Sequence, residues 1–261
     1  MFRLTPLGFG SAFNSEEYGN NSWYFEYNDE LYIIDCGFTV FNELKKLKLD
    51  WYNQIHFIIT HMHGDHVGSL PTAIQYLYYK YYITPNIVTH YDLKRDMINY
   101  LGITGIEQEM YALRTPLPNT VDFGDPKGIM IEFHKTEHDL YIRSYSLAII
   151  KESTELILYS GDTTSHFNGM NDPLFIALCS LDNAYTFNLE LKAVYLDISL
   201  KKSPSHAHAH LYNNRACDRI ENEFKKNNTE IVVMHLDDTI ENYRDKLNIY
   251  TGFDITIGGE K

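Results

Sequence analysis

The sequence predicts an α/β fold in which a two-sheet core carries outer helices. Two observations point there. Strand-like runs dominate both halves of the chain, and helical patterns fall singly between them instead of alternating strictly, which two sheets accommodate better than one parallel sheet. The chain has 261 residues with 44% hydrophobic content, enough to bury a substantial core as a single domain over residues 1–261.

The elements follow in order. Phe2–Pro6 reads as a first strand, and the glycines at Gly8 and Gly10 mark a turn. Trp23–Tyr27 and Leu31–Asp35 form a hairpin across Asn28-Asp29-Glu30. Thr39–Leu49 has helical spacing at Val40, Phe41, Leu44, Leu47 and, with a little drift, Leu49, with Lys45, Lys46 and Lys48 toward its C-terminal end. Phe57–Thr60 is a buried strand. Leu70–Tyr82 contains a helix that tolerates Pro71 in its first turn. Ile87–Thr89 is a strand and Asp92–Leu101 a short helix. Ile103–Gly128 is irregular, with Pro116, Pro118, Gly124 and Pro126 marking loops or a lid. Strands are expected at Ile129–Phe133, Tyr145–Ile150, Glu155–Ser160, Ala193–Ile198, Ile231–Met234 and Phe253–Ile257. Helices are expected at Leu181–Leu189, at Asn213–Lys226 and near Asn242.

Charge narrows the function. Thirty-five acidic and 22 basic residues give a net charge of −13. A broad basic face for long nucleic acid is therefore not expected, because such faces work by neutralising many phosphates. A small anion is still admissible, since bound metal supplies positive charge that composition does not count. No apolar run approaches the roughly 20 residues that span a bilayer, and the N-terminus lacks a signal-peptide core. Cys36, Cys179 and Cys217 are far apart and form no CxxC pair. A cytoplasmic protein with reduced thiols is expected.

The strongest local signal is His61-Met-His63-Gly-Asp65-His66. From this chain's own His and Asp frequencies, such a pattern arises by chance on the order of twice per thousand sequences. It follows a buried strand and precedes a helix. Imidazole and carboxylate are ligands for borderline divalent metals, and His61 and His63, two apart on an extended segment, point to one side. A polar turn with solvated histidines is the plain alternative. Four side chains do not complete two metal shells, so further ligands belong downstream. They stand at or just beyond strand ends: His138 after Ile129–Phe133, Asp162 in Ser160-Gly-Asp-Thr163, and His235 after Met234. Each alone reads as a cap or turn residue; the three together read as the rest of a binuclear site.

This pattern resembles the metallo-β-lactamase superfamily over nearly the whole chain. The resemblance implies an αββα sandwich with two divalent metal ions. Carried over, His61, His63 and His138 bind one metal, Asp65, His66 and His235 the other, and Asp162 bridges. Zinc is the first expectation for the ions, with manganese or iron also admitted by an all-N/O ligand set. Leu7-Gly-Phe-Gly-Ser-Ala-Phe13, Ile34-Asp-Cys-Gly37, HMHGDHVGSLP over His61–Pro71 and Ala209-His210-Leu211 are similar to the ribonuclease Z-like branch. That likeness implies a catalytic set of Asp65 with the pair Asp197 and His210, where His206 or His208 is an alternative to His210 and a strand-end Asp with a capping His is the plain reading. Asp35 orients the metal-binding loop or occupies an ordinary turn.

Two reactions compete within the branch. Transfer-RNA processing enzymes carry a Gly/Pro- and Lys-rich arm, and the interval between Asp162 and Asp197 has no such composition. In size, motifs and missing arm the chain looks like the anti-Pycsar proteins of phages and their bacterial relatives, compact enzymes that hydrolyse cyclic mononucleotides. The implied function is a binuclear phosphodiesterase for 3′,5′-cyclic nucleotides, a phage counter-defence enzyme against a cyclic-nucleotide signal. An RNA 3′-processing endonuclease and a non-catalytic nucleotide sponge are the alternatives. Tyr76-Leu-Tyr-Tyr-Lys-Tyr-Tyr82 reads as a homodimer interface or as a base-stacking surface.

Overall fold

The computed structural model describes residues 2–115, 123–124, 128–163, 189–201, 208, 229–251 and 256–259. The helices expected at Leu181–Leu189 (but for its last residue) and Asn213–Lys226, and with them Cys179, His206, His210 and Cys217, lie outside the described residues. The chain divides into two compact units. The N-terminal unit is Leu4–Phe123, and the C-terminal unit is Met1–Arg3 with Gly124–Lys261.

The N-terminal unit is built on a six-stranded sheet whose strands lie side by side in chain order: β1 (Thr5–Gly8), β2 (Ser22–Tyr27), β3 (Glu30–Ile34), β4 (Gln54–Ile59), β5 (Asn86–Thr89) and β6 (Ala112–Arg114). The first three pair antiparallel and β3 to β6 pair parallel. The β2–β3 turn needs only Asn28 and Asp29, at φ 50° and 60°, the left-handed pair of a type I′ hairpin. Alternation on β3 and β4 sends Leu31, Ile33, Ile55, Phe57 and Ile59 into one apolar core with Ile74, Leu77, Met97 and Leu101. Ile74 comes from the helix α4 (Leu70–Tyr76), which has Pro71 in its first turn and continues as a π-helical turn over Leu77–Tyr81. Met97 and Leu101 come from α5 (Lys94–Ile103).

Three elements differ from expectation. The first strand is Thr5–Gly8, not Phe2–Pro6; its register is set by pairing with Ser22–Tyr24. The helix expected over Thr39–Leu49 is only α2 (Val40–Leu44), which comes after the one-turn α1 (Ser15–Tyr18) and is followed by a 3-10 turn at Leu49–Trp51. Leu44 and Leu49 are both buried in the same core. Five residues apart on one helix they would sit about 140° apart, so the chain unwinds to bury both. The short strand β6 falls within a stretch expected to be irregular.

The opposite face of the β2–β4 sheet carries a stacked row. Phe25 and Tyr32 lie 4.7 Å apart at 5°, and Tyr32 and His56 4.4 Å apart at 9°. Glu30 Oε2 accepts from Tyr32 Oη at 2.5 Å and lies 3.1 Å from His56 Nε2, while Asn86 Nδ2 lies 3.3 Å from His56 Nδ1. Donation from Asn86 to Nδ1 and from Nε2 to Glu30 satisfies a neutral imidazole at both nitrogens.

The C-terminal unit carries a seven-stranded sheet in the order β13 (Thr256–Ile257), β12 (Glu230–Met234), β11 (Glu190–Asp197), β10 (Glu155–Tyr159), β9 (Ser144–Lys151), β8 (Ile129–Thr136), β7 (Phe123–Gly124). Strands β10 to β13 are parallel, and β8–β9–β10 antiparallel. The inner strands read as near-continuous apolar runs because both faces are covered: Leu156–Tyr159, Ala193–Leu196 and Val232–Met234 are buried throughout. One further helix, α6 (Ile240–Thr251), follows β12. Among the described residues no helix is long and apolar enough to cross a membrane.

Burial, opposed by Glu30, holds His56 below the ordinary histidine range. In the unfolded chain this group takes a proton near pH 6.5 and in the folded chain only at lower pH, so the unfolded state binds more protons in that window. Unfolding free energy measured in urea is therefore expected to fall as pH drops from about 7.5 to 5.5, and His56→Gln is expected to flatten that slope. An unchanged slope in the variant would remove His56 from the account.

Candidate metal centre

Each unit places a group of imidazoles and carboxylates at the carboxyl ends of adjacent strands, where ligands of α/β sheets gather. In the N-terminal unit the register Ile34↔Ile58 brings Asp35 out beside the Thr60-His61 segment. Asp35 is fully buried at φ 61°, a left-handed conformation uncommon for a residue with a side chain. Its carboxylate accepts from Thr60 N and Thr60 Oγ1, each at 2.8 Å, and stands 2.8 Å from His66 Nδ1. Burial pushes the Asp35 carboxyl upward, against the pull of His66 and Thr60. His66 lies on α3 (Gly64–Val67) and is also fully buried. With Nδ1 held by Asp35, its Nε2 is turned toward Asp65, 3.4 Å from Oδ2. This is the arrangement by which a carboxylate fixes the tautomer and direction of a metal-binding imidazole.

The adjoining histidines are held as closely. His61 Nδ1 lies 3.0 Å from Thr60 Oγ1, and His61 Nε2 lies 3.0 Å from His63 Nδ1. Two imidazole nitrogens thus converge on one point, as the i, i+2 spacing predicts. The Asp35 carboxylate thus ties the end of one strand to the loop after the next, at Thr60 and at His66.

In the C-terminal unit Asp162 follows β10, Asp197 ends β11 and His235 follows β12, three neighbouring parallel strands. Tyr159 pairs with Tyr195, and Asp197 with Met234. His235 leaves its strand at φ 60°. Its Nε2 lies 3.3 Å from Asp162 Oδ2 and its Nδ1 3.6 Å from Asp197 Oδ1. His138, two residues beyond β8, has Nε2 3.7 Å from Asp162 Oδ2. The Asp162 carbonyl accepts from Thr136 Oγ1 at 3.1 Å and Ser144 Oγ at 3.2 Å, which fixes the strand end. His208 Nδ1 lies 2.8 Å from Asp197 Oδ2, an oxygen that also accepts from Thr163 N at 3.1 Å. Asp197 is thus seen with His208, one of the alternatives to His210, which lies outside the described residues together with His206.

One ligand atom each from Asp162, Asp197, His208 and His235 fall within 4.8 Å of one another. Two buried carboxylates this close repel unless a proton or a cation stands between them. The donor set of imidazole nitrogen and carboxylate oxygen fits a borderline divalent ion.

Sequence reasoning missed one set of residues here. Asp237, two residues past His235, accepts from Leu200 N at 3.0 Å and Lys201 N at 2.9 Å, and Ser199 Oγ bonds the same carboxylate. Tyr243 Oη, on α6, lies 2.7 Å from Asp237 Oδ1 and 2.6 Å from the Ile198 carbonyl. Burial raises the Asp237 carboxyl, but the bonds from Ser199, Tyr243 and the two amides outweigh it and hold the group below the ordinary carboxylate range. The clamp ties the loop after Asp197 to the loop after His235. The sequence signal was faint: an acidic residue shortly after a strand-terminal His, before a helix.

The sequence profile of the anti-Pycsar protein Apyc1 family matches residues 2–253. Anti-Pycsar protein Apyc1 of Bacillus phage vB_BveM-Goe7 is 26% identical over 184 residues, 62% of this chain and 67% of that protein. Ribonuclease Z of Porphyromonas gingivalis is 38% identical over 76 residues, 29% of this chain; the match spans only a quarter of that relative's length. Among solved structures, the metallo-β-lactamase fold protein YhfI from Bacillus subtilis superposes with a TM-score of 0.71 at 18% identity, covering 97% of this chain and 95% of that one. Unliganded yeast PDE1 gives 0.69 at 14% identity, covering 97% and 96%. These likenesses establish the metallo-β-lactamase fold expected from the sequence.

Replacing one Asp237 oxygen by an amide nitrogen takes the acceptor from one of the two backbone amides and sets a donor against it, while the hydroxyls keep the Lys201 and Ile198 carbonyls. Asp237→Asn is expected to cost about 2 kcal/mol or more of stability by denaturant titration, and Tyr243→Phe about 1 kcal/mol. The Asp237 contribution is present above the ordinary carboxylate pKa and lost as pH falls through the lower folded value, so the gap between wild type and Asp237→Asn should narrow below about pH 3.8. Equal stability of the two proteins at neutral pH would contradict the clamp.

Proposed function

The chain belongs to the anti-Pycsar protein Apyc1 family, and on that premise we propose that it is a metal-dependent phosphodiesterase that opens 3′,5′-cyclic mononucleotides. The observation that carries this is the gathering of imidazoles and carboxylates at strand ends in both units, on a chain that matches that family over residues 2–253. The −13 charge and the interval without a Gly/Pro- and Lys-rich arm favour a small nucleotide over transfer RNA. An acidic chain meets a single phosphodiester through bound cations, not through a basic face.

In this reading His61, His63 and His138 would hold one divalent cation and Asp65, His66 and His235 a second, with Asp162 available to both. The ions, zinc first, would supply charge neutralisation at the phosphoryl oxygens and lower the pKa of a water. Asp35 keeps His66 turned so that Nε2 serves as ligand. Asp197 holds Nδ1 of His208, which turns Nε2 outward to pass a proton to the departing ribose oxygen. The family membership also supports a role in a phage or its host, with the signal nucleotide degraded in the cytoplasm. The protein is proposed to act as a homodimer through the tyrosine-rich turn after α4, where Tyr79 and Tyr82 are exposed.

The experiment is a hydrolysis panel with the metal-loaded protein, with metal counted by mass spectrometry. Turnover of at least one of cyclic CMP, UMP, AMP and GMP is expected, with pre-tRNA slow and two metals per chain. Asp162→Ala should lower both metals. His208→Ala should keep the metals and lose roughly 10²–10⁴-fold in turnover, the worth of a positioned general acid. Efficient 3′ trimming of pre-tRNA without cyclic-nucleotide turnover would overturn the reading, and that loss appearing in His210→Ala instead would move the proton donor to His210.

A further inference from the structure

Phe38 is an exposed aromatic ring set on the metal-binding loop. The residue is 65% exposed although it directly follows a buried stretch, Asp35 to Gly37, that is packed against that loop. The ring rests on two glycines of the motif region. A Cβ on Gly64 would stand 2.6 Å from Phe38 Cζ, and a Cβ on Gly68 would fall inside the ring's edge. Gly64 lies between His63 and Asp65, so the ring covers backbone that joins two proposed ligands. The two glycines form a flat seat that no other residue leaves open.

The backbone that presents the ring is pinned on both sides. The Gly37 carbonyl accepts from Ser69 Oγ at 2.5 Å and Val40 N at 3.1 Å. Thr39 N donates to Asn20 Oδ1 at 3.1 Å, and Asn20 N to Thr39 Oγ1 at 2.7 Å. Cys36 N donates to the His66 carbonyl at 2.6 Å. A large apolar side chain held in water on a fixed loop is preorganised for a flat partner, because little conformational freedom is left to lose when it is covered.

We propose that Phe38 is the stacking platform for the nucleobase, and so a specificity-determining residue of the phosphodiesterase. This rests on the cyclic-nucleotide reading above. A ring against Gly64 stands within a nucleotide's length of a phosphate held at His63 and Asp65. An aromatic face accepts any base, since every base has a π-face, and the contact rewards nucleotides over phosphodiesters that have none.

The test compares wild type with Phe38→Ala and Phe38→Trp, all metal-loaded, on cyclic mononucleotides and on the base-less 1-O-methylribose 3′,5′-cyclic phosphate. Wild type should show a KM for the nucleotide lower than for the base-less analogue by on the order of ten-fold, Phe38→Ala should erase that preference with metal content retained, and Phe38→Trp should restore it. Calorimetric binding of the same cyclic nucleotide to wild type and Phe38→Ala is measured in parallel. If wild type turns over neither substrate, the phosphodiesterase reading fails, and ten-fold weaker nucleotide binding by Phe38→Ala still upholds the platform. An equal nucleotide preference in wild type and Phe38→Ala would overturn it. So would a loss in Phe38→Ala shared equally by both substrates and accompanied by a change of oligomeric state in light scattering, which would make Phe38 a contact between copies of the chain.

Discussion

Asp162 and Asp197, two carboxylates with almost no access to water, share one corner of the C-terminal unit with the imidazoles of His208 and His235. Charge of one sign buried at this density is tolerated only with counter-charge supplied at the site. Much of the surrounding order follows from meeting that requirement. Thr163 N and His208 turn toward Asp197, and His138 and His235 toward Asp162. The Asp237 clamp ties the two adjoining loops together, so the charged side chains cannot drift apart to relieve repulsion.

The N-terminal unit answers the same problem differently. Asp35 there is a single buried carboxylate, satisfied by an amide, a hydroxyl and an imidazole. It is therefore a structural acceptor that aims His66, where Asp162 is a crowded group suited to a cation and Asp197 faces the His208 imidazole. Both units spend backbone strain at these places: Asp35 and His235 each leave a parallel strand in the left-handed region. At β3 and at β12 the strand end turns sharply and brings a titratable side chain to the sheet's carboxyl edge.

The legible parts of the sequence were those whose chemistry is local. His61, His63, Asp65 and His66 are contiguous, and the strand before them reads as apolar. His138, Asp162 and His235 were singled out because each follows closely on an apolar run. Long-range packing was not legible. Leu44 and Leu49 would point about 140° apart on one helix but share one core in space, which unwinds the helix expected there. Tyr243 reaches a carbonyl 45 positions away, at Ile198, and no periodicity announces such a bond. The partner of Asp197 could not be chosen because His206, His208 and His210 recur with a period of two, a sequence spacing that sets none of them apart from the others.

The central claim is that these residues serve a two-ion centre in which Asp162 is shared and the Asp197–His208 pair moves a proton. Anomalous diffraction from crystals of the metal-loaded protein tests it most directly. The account predicts two anomalous peaks per chain, both ligated by Asp162, with Asp197 and His208 outside either coordination shell. A single peak bound by Asp162, Asp197, His208 and His235 would contradict it, because the pair assigned to proton transfer would then be part of the metal's own ligand set.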